Sequence, residues 1–385
     1  MRHKIIFFSF FIQTFFLAQK IRIVDSESFA PISNARIISN DKIYYTNDDG
    51  FALLPDTHHR LEVNASGYLS EEKPFDSIIK LHPKYNDIDE VKIVSVDFQK
   101  ILKTVFDNYS NIYYDQPIIY DVTIKEKSYE NNQLKLLAIA DGKFWSKDGV
   151  YHPKEAINDK FDKFVQLQID DLRYLKKETR NPKIKLKKQK ISHDNIGNMF
   201  LSYGLWRTHS LSKIRNAKVS GRLISETPDE QEISYRIKSD SAYMYTGNFI
   251  YNKKDKAITH FELDFTQSNS KLISYKTDDG NYVKRQLGDG LFIFDYYKNG
   301  DKYYPARISV SSKNFKNIYD DETVDYKYSR DIIFKSFTKT DKNGLENPVR
   351  INEYYWDNLQ LNSDKGEILL SKEEEKFINE SKDEK

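Results

Sequence analysis

The stretch from Ile21 to Tyr68 constrains the fold more than any other part of this sequence, because strand-like alternation and turn residues follow one another at short intervals. Apolar residues alternate there with polar neighbours, which places one face of each strand on a core and the other in water. Pro31 cannot donate to a strand ladder, and Gly50 supplies the positive φ of a hairpin turn. This pattern predicts a small antiparallel β-sandwich. The residues expected to face its core are Ile21, Ile23, Ile37, Phe51, Leu53, Leu61 and Val63.

The same stretch resembles the carboxypeptidase regulatory-like domain, a transthyretin-like β-sandwich. The positions that carry the resemblance are Asp25, Pro31, Ala35, Thr46, Gly50, Phe51, Gly67 and Tyr68. The glycine that is usual before the first strand is missing, because Gln19 and Lys20 stand there. In that family the module is an accessory without an active site, found on peptidases and at the front of cell-surface and transporter proteins of Gram-negative bacteria. The resemblance therefore implies a fold and a cell-envelope address, but no reaction.

The N-terminal residues have the pattern of a secretory signal. Residues 2–4 are basic, Ile5–Phe16 is mainly apolar, and Ala18 is a small residue suited to cleavage before the next position. Because the apolar run is too short to span a bilayer comfortably, we expect an exported protein in the periplasm or at the outer membrane. No transmembrane span is expected after removal of the signal. The absence of cysteine excludes disulfides and thiolate metal sites.

Composition favours a mainly β protein. Aromatic residues make up 14% of the chain, with 27 Tyr and 24 Phe, which are residue types enriched in strands. A mean hydropathy of −0.71 excludes a polytopic membrane protein. The formal net charge of +2 gives no overall field that would select an acidic partner.

The remainder of the chain predicts a long antiparallel run with few helices. Phe98–Tyr109 has one apolar stripe at helical spacing, with Asp97 as a candidate cap, and Asp159–Tyr174 is a second candidate helix. Met199–Leu211 is apolar and aromatic and is expected to plug an opening of the sheet. The expected strands are Ile118–Lys127, Leu134–Ala140, Gly142–Ser146, Glu232–Ile237, Gly247–Asn252, Ala257–Gln267, Leu272–Lys276, Tyr282–Leu287, Leu291–Tyr297, Tyr303–Ser312, Thr323–Tyr328, Ile332–Thr340 and Arg350–Trp356.

These patterns predict a mainly β fold, with an N-terminal transthyretin-like or Ig-like β-sandwich followed by a large curved antiparallel β-sheet domain with one or two packed helices. The order of the strands between Tyr245 and Arg307 resembles the large curved sheet of lipoprotein-carrier-like envelope proteins. The expected segments are a signal peptide (1–18), the carboxypeptidase regulatory-like sandwich (19–83), a linker strand (84–96), the large β domain with helices (97–362) and a charged C-terminal tail (363–385). The tail is expected to form at most a short exposed helix.

No set of catalytic residues stands above chance in this sequence. His152-Pro153-Lys154-Glu155 has the His-x-x-Glu spacing of the zinc site in metallocarboxypeptidases. His59-Arg60-Leu61-Glu62 has the same spacing inside the predicted sandwich, so the spacing is not informative. We therefore expect no catalytic residue, no metal and no cofactor, and a zinc-dependent peptidase is the least favoured interpretation.

Candidate contact residues lie in a basic run and among the aromatic residues. They are Lys183, Lys185, Lys187, Lys188, Trp206 and Tyr303. A solvated loop between strands is the favoured interpretation of the lysines. If they bind a ligand, export argues against nucleic acid and favours a phosphate-rich lipid head group or an anionic glycan. The partners expected for the whole protein are an outer-membrane protein, a lipid or a glycan, and no nucleic acid. The favoured function is a non-enzymatic cell-envelope binding or assembly protein. The main alternative is a periplasmic lipid or lipoprotein carrier that uses a concave sheet.

Overall fold

The chain forms two compact units, Met1–Asn86 together with Glu367–Lys385, and Asp87–Gly366. The expected signal peptide and most of the expected linker strand lie outside the described residues, so the five-segment division stays a prediction. The computed structural model of the chain describes residues 19–39, 42–54, 60–65, 67–83, 94–178, 196–239, 243–267, 269, 271–276, 282–319, 322–352, 354–360 and 369–380.

The first unit contains the β-sandwich that the sequence predicts. Its strands are β1 (Gln19–Asp25), β2 (Arg36–Ser39), β3 (Lys42–Tyr45), β4 (Phe51–Leu54), β5 (Arg60–Asn64), β6 (Glu71–Pro74) and β7 (Ile78–Leu81). One sheet has the order β4-β1-β7 and the other has the order β3-β2-β5-β6. The sandwich is not wholly antiparallel, because β1 pairs with β7 in the parallel sense.

The turn and strand signals of the sandwich have clear structural roles. Thr46 is buried, and its hydroxyl accepts from the amide of Ala35 at 2.8 Å and donates to the carbonyl of Ile32 at 2.7 Å. Gly50 has φ +77°, and a Cβ there would lie 2.5 Å from the carbonyl oxygen of Ile23, so a larger residue does not fit. These contacts tie the two sheets to the turns between them.

The prediction that Phe51 and Leu53 face the core is wrong, because the buried positions of β4 are shifted by one residue. Ala52 and Leu54 face the core instead, while the other expected core positions are fully buried. The ring of Phe51 lies under the ammonium group of Lys20, which is 4.0 Å from the ring centroid, and this contact is a cation–π interaction. Because strand side chains alternate between faces, a shift of one position exchanges the whole buried set.

The C-terminal segment packs as part of the first unit, so it is more than an exposed helix. Helix Lys372–Asn379 begins with a capping box, in which the Ser371 hydroxyl accepts from the amide of Glu374 and the Glu374 carboxylate accepts from the amide of Ser371. The Lys372 amide donates to the Asp49 carboxylate at 2.7 Å, and Phe377 is buried. The charged composition hid this packing, because it depends on one apolar side chain.

The second unit is built on one antiparallel sheet of 12 strands. The strands are β8 (Ile118–Glu130), β9 (Gln133–Ser146), β10 (Val165–Lys177), β11 (Lys218–Glu226), β12 (Glu230–Lys238), β13 (Met244–Asn252), β14 (Ala257–Thr266), β15 (Ile273–Lys276), β16 (Tyr282–Gln286), β17 (Asp289–Asn299), β18 (Lys302–Ile318) and β19 (Thr323–Lys339). Their order is β10-β9-β8-β19-β18-β17-β14-β13-β12-β11, and the hairpin β15–β16 extends the sheet beside β18.

Helices pack against this sheet as the sequence predicts for Phe98–Tyr109. The helices are α1 (Phe98–Asp107), α2 (Tyr109–Ile112), α3 (Pro153–Ile157) and α4 (Leu201–Ser212), and we call the C-terminal helix of the first unit α5. The Asp97 carboxylate caps α1 by accepting from the amide of Lys100. The stripe that contains Phe98, Leu102 and Val105 is buried. Among the described residues, no helix is both long and apolar enough to cross a bilayer.

Two local predictions in the large domain are wrong, and one strand was missed. Asp159–Tyr174 is mainly strand, because β10 starts at Val165 and pairs along most of β9. Arg350–Trp356 forms no strand among its described residues and leads into a 3-10 turn at Trp356–Asn358. The strand β11 was not predicted, since its residues are only half-buried and alternate weakly.

One continuous apolar core lies between the helices and one face of the sheet, which we call the inner face. Strand register aligns Ile124 of β8, Ile332 of β19 and Ile308 of β18 in one row on this face. All three side chains are buried and belong to the same cluster as residues of α1, α2 and α4. The curved sheet therefore encloses an apolar layer that the helices cover.

We expect the substitution Phe377→Ala to loosen the first unit. Loss of a buried aromatic side chain from the core costs about 3–5 kcal/mol, so amides of β1–β7 should exchange hydrogen faster. Hydrogen-exchange mass spectrometry would measure this effect, with Glu375→Ala on the exposed side of α5 as the matched control. Unchanged exchange in the Phe377 variant would show that α5 does not stabilise the sandwich.

Candidate ligand-binding site

A narrow crevice opens between the inner face of the large sheet and the residues that immediately precede α4. We call the side formed by Met199 and Phe200 its helical side, and Tyr109 and Tyr113 of the α2 region contribute two rings. Its full lining is Tyr109, Tyr113, Tyr114, Tyr120, Phe144, Ser146, Gly149, Met199, Phe200, Tyr296, Tyr303, Pro305, Ile308 and Phe334. The wall is therefore mainly aromatic, with few polar atoms.

The crevice is nearly closed. The space free of atoms, including its mouth, is about 340 Å³, but the part that the centre of a water molecule can reach is only about 20 Å³. A single water needs about 10–15 Å³ by that second measure. The crevice therefore has room for about one water, and a larger ligand requires part of the wall to move.

The tyrosine hydroxyls around the crevice are engaged with the protein. The Tyr113 hydroxyl donates to the carbonyl of Ile258 at 2.9 Å and accepts from the Ile258 amide at 2.9 Å. The Tyr296 hydroxyl interacts with Tyr109 and with the backbone of Leu201, and burial raises the pKa of Tyr296 to about 12. These phenols therefore stay neutral at ordinary pH, which keeps the walls uncharged.

Helix α4 contacts the sheet mainly through apolar atoms. Gly204 allows the closest approach, because a Cβ there would lie 3.0 Å from the ring of Phe294 and 3.1 Å from the ring of Phe261. Further polar contacts at the two ends of the helix go to a connecting segment and to α1. The Ser202 hydroxyl accepts from the amide of Tyr151 at 2.8 Å, and the Gln99 side chain donates to the Ser212 hydroxyl at 2.8 Å.

The opposite, outer face of the same strands carries a row of charges. His260 contacts the Asp295 carboxylate at 2.7 Å through Nδ1 and the Glu262 carboxylate at 3.1 Å through Nε2. The Arg307 guanidinium donates to the Asp331 carboxylate at 2.6 Å and 3.1 Å. Register places Asp295 opposite both His260 and Arg307, so opposite charges alternate across four adjacent strands.

This charged row links neighbouring strands by paired charges and is poorly suited to proton transfer. Burial alone would lower the pKa of His260, but hydrogen bonds to Asp295 and Glu262 outweigh it and raise the pKa to about 10. An imidazolium that stays protonated at neutral pH cannot act as a general base. The arrangement is therefore a network of paired charges between strands.

The structure places two of the six predicted contact residues. Tyr303 lines the crevice and is buried, with its hydroxyl donating to the Asp255 carboxylate at 2.8 Å. Trp206 lies on α4 with 39% of its surface exposed and its ring 6.1 Å from that of Tyr151. Lys183, Lys185, Lys187 and Lys188 lie outside the described residues. A ligand role for all six stays a prediction.

The His-x-x-Glu spacing does not bring a ligand set together where the structure describes it. His152 contacts the Asp148 carboxylate at 2.9 Å, and its ring is tilted against that of Phe164, while Glu155 lies in the first turn of α3. Among the described residues, no three His, Asp or Glu side chains converge as a metal site would require. His59 falls outside those residues.

Sequence reasoning missed most of the crevice. The alternation within each strand shows that Tyr120, Phe144 and Phe334 face one side of the sheet. It does not show that these residues are neighbours, because β8 and β19 are about two hundred positions apart. Their proximity depends on pairing between distant strands, which local patterns do not specify.

The raised pKa of His260 predicts a pH dependence of stability. A group whose pKa rises on folding stabilises fully below its ordinary value of 6.5, and this contribution disappears as the pH approaches about 10. The free energy of unfolding of the large domain should therefore fall over this interval more steeply in the wild type than in His260→Gln. Urea unfolding at pH 6.5, 8 and 9.5 would measure both slopes, and parallel slopes would contradict the assignment.

Comparison with known proteins does not identify a family for this chain. No protein-family model matches it, and no curated protein matches its sequence. Among solved structures, it is similar to a crystal structure of a LolA superfamily protein from Nitrosomonas europaea. The TM-score is 0.25 and the identity is 10%, over 64% of this chain and 95% of that chain. A TM-score of this size establishes neither a shared fold nor a shared ligand.

Proposed function

We propose that this protein is a non-enzymatic binding protein of the cell envelope, whose large domain holds the apolar chain of a lipid or lipoprotein. The observation that carries the proposal is the aromatic crevice between the inner face of the sheet and the start of α4. Its walls offer apolar contact area and no charged side chain. Such walls suit a ligand whose bound part is uncharged and apolar.

Entry of a chain requires the helical side of the crevice to move away from the sheet. Met199 and Phe200 are buried on that side and belong to the apolar core. A ligand chain that takes their place recovers the lost contact area, since each buried methylene contributes about 0.8 kcal/mol. When the ligand chain replaces Met199 and Phe200, one apolar contact surface is exchanged for another. Opening the protein at this point therefore costs less free energy than separating the ion pairs of the outer face.

The envelope address and the role of the sandwich belong to the same proposal. The signal-like N-terminus and the resemblance of Ile21–Pro83 to the carboxypeptidase regulatory-like domain support an exported accessory module. The sandwich then presents the protein to an outer-membrane partner, while the large domain carries the ligand. The competing function is that of an assembly protein that binds no lipid. In that case the purified protein would contain no ligand in the crevice.

Native mass spectrometry tests the proposal directly. Protein purified from an envelope fraction and sprayed under native conditions should carry an added mass in the range of a lipid. The delipidated protein should then take up methyl laurate in a one-to-one complex. A wild type that co-purifies with no lipid and takes up no methyl laurate would overturn the proposal in favour of assembly.

A crevice-filling substitution should weaken this uptake. Ile308 lies in the wall and is buried, so Ile308→Phe places a larger ring in the space a chain needs. We expect the affinity for methyl laurate to fall about tenfold, with a stability loss of about 1–3 kcal/mol from overpacking. The matched control is Ile214→Phe at an exposed site, which should bind like the wild type.

A second variant separates filling of the crevice from general damage. Met199→Ala enlarges the crevice while removing buried contacts, so it should be less stable than the wild type and still bind methyl laurate. If Ile308→Phe and Met199→Ala lost binding to the same extent, filling the crevice would have no specific effect, and the ligand would have to bind outside the crevice. Thermal unfolding of each variant would show that the large domain remains folded.

A further inference from the structure

The ion pair of Arg330 and Glu126, which we call the polar group, interrupts the apolar inner face two residues along the strands from Ile332 and Ile124. The Arg330 guanidinium donates to the Glu126 carboxylate at 3.0 and 3.1 Å, and both side chains are about 95% buried. A buried ion pair is often no more stabilising than well-packed apolar residues in its place. Its position inside the core is therefore not explained by stability.

The Tyr355 side chain adds a second unusual feature at the same place. Tyr355 is 6% exposed and packs against Trp356, with the ring centroids 4.8 Å apart. Its hydroxyl is buried and has no hydrogen-bond partner within the part of the chain that the structure describes. It lies close enough to interact electrostatically with Arg330 and Glu126. A buried hydroxyl without a partner destabilises the folded state.

Strand register brings this polar group next to the crevice. Ile308 lines the crevice and lies opposite Ile332, which in turn lies opposite Ile124. Arg330 and Glu126 pair with each other two residues further along the same two strands. Two residues of a strand span about 7 Å, so a chain lying along the strands from the crevice arrives at the polar group.

We propose that the Tyr355 hydroxyl binds the carbonyl oxygen of a neutral acyl ester or amide, whose apolar chain occupies the crevice. This inference rests on the proposed function and names the class of ligand. The hydroxyl supplies the donor, and the carbonyl supplies an acceptor that none of the described residues provides. The bound ligand thereby satisfies a hydroxyl that is left without an acceptor among those residues.

The charges at this place select a neutral ligand over a free fatty acid. Arg330 is already neutralised by Glu126, and Glu130 lies further along the same face. A carboxylate would therefore bring an uncompensated negative charge into a buried site, which is unfavourable. An ester carbonyl accepts the same hydrogen bond without that charge.

The experiment compares methyl laurate with laurate at pH 8, using the delipidated protein and competitive displacement of a fluorescent fatty-acid ester. The wild type should bind the ester at least fivefold more tightly. Tyr355→Phe keeps the ring and removes the hydroxyl, so it should reduce ester affinity about fivefold and leave laurate affinity unchanged. The same variant should unfold at the same or higher temperature, because it removes an unpaired buried group.

The outcomes separate this inference from the proposed function. Equal affinity for ester and acid in the wild type would overturn the inference and leave the carrier function standing. Unchanged ester affinity in Tyr355→Phe would do the same. Binding of neither ligand would overturn the carrier function with it. Tyr282→Phe, at a tyrosine with 68% exposure, is the control and should match the wild type for both ligands.

Discussion

The pairing of β8 with β19 is the constraint on which the large domain depends. It joins residues about two hundred positions apart and fixes which side chains share a face. On β18 and β19 the apolar residues Ile308 and Ile332 lie inside, while their neighbours Arg307 and Asp331 lie outside. A slip of one residue would exchange the apolar core with the charged row. The apolar core on the inner face and the ion pairs on the outer face therefore favour the same register, because a slip of one residue would disrupt both.

The same alternation explains how much of this fold could be predicted from the sequence. Period-two patterns identified most strands, and the stripe through Leu102 identified α1. They failed at Phe51 and Leu53, where the local alternation allows two phases, and the Phe51 ring lies under Lys20 and not in the core. They failed again at Val165–Lys177, whose partly exposed strand lies at the end of the sheet order and does not alternate cleanly.

The candidate site was less predictable than the fold, for a physical reason. Tyr303 was recognised as an aromatic residue of interest, but its partners in the crevice come from the α2 region, the two residues before α4 and strands far apart in sequence. Glu126 and Arg330 are unremarkable charged residues in the sequence, and only the register puts them inside the core. A binding surface made by long-range pairing leaves little trace in local spacing, whereas the turn at Gly50 is defined within a few residues.

The closed state of the crevice bears on how a ligand would be released. Walls that leave room for about one water keep the apolar layer dry when no ligand is bound. The empty crevice then exposes little of its aromatic wall to water, which limits aggregation through this site. Binding must replace contacts of Met199 and Phe200, so the net affinity is the difference between two similar apolar interactions. A carrier benefits from that balance, because a ligand held too tightly would not be passed on to an acceptor.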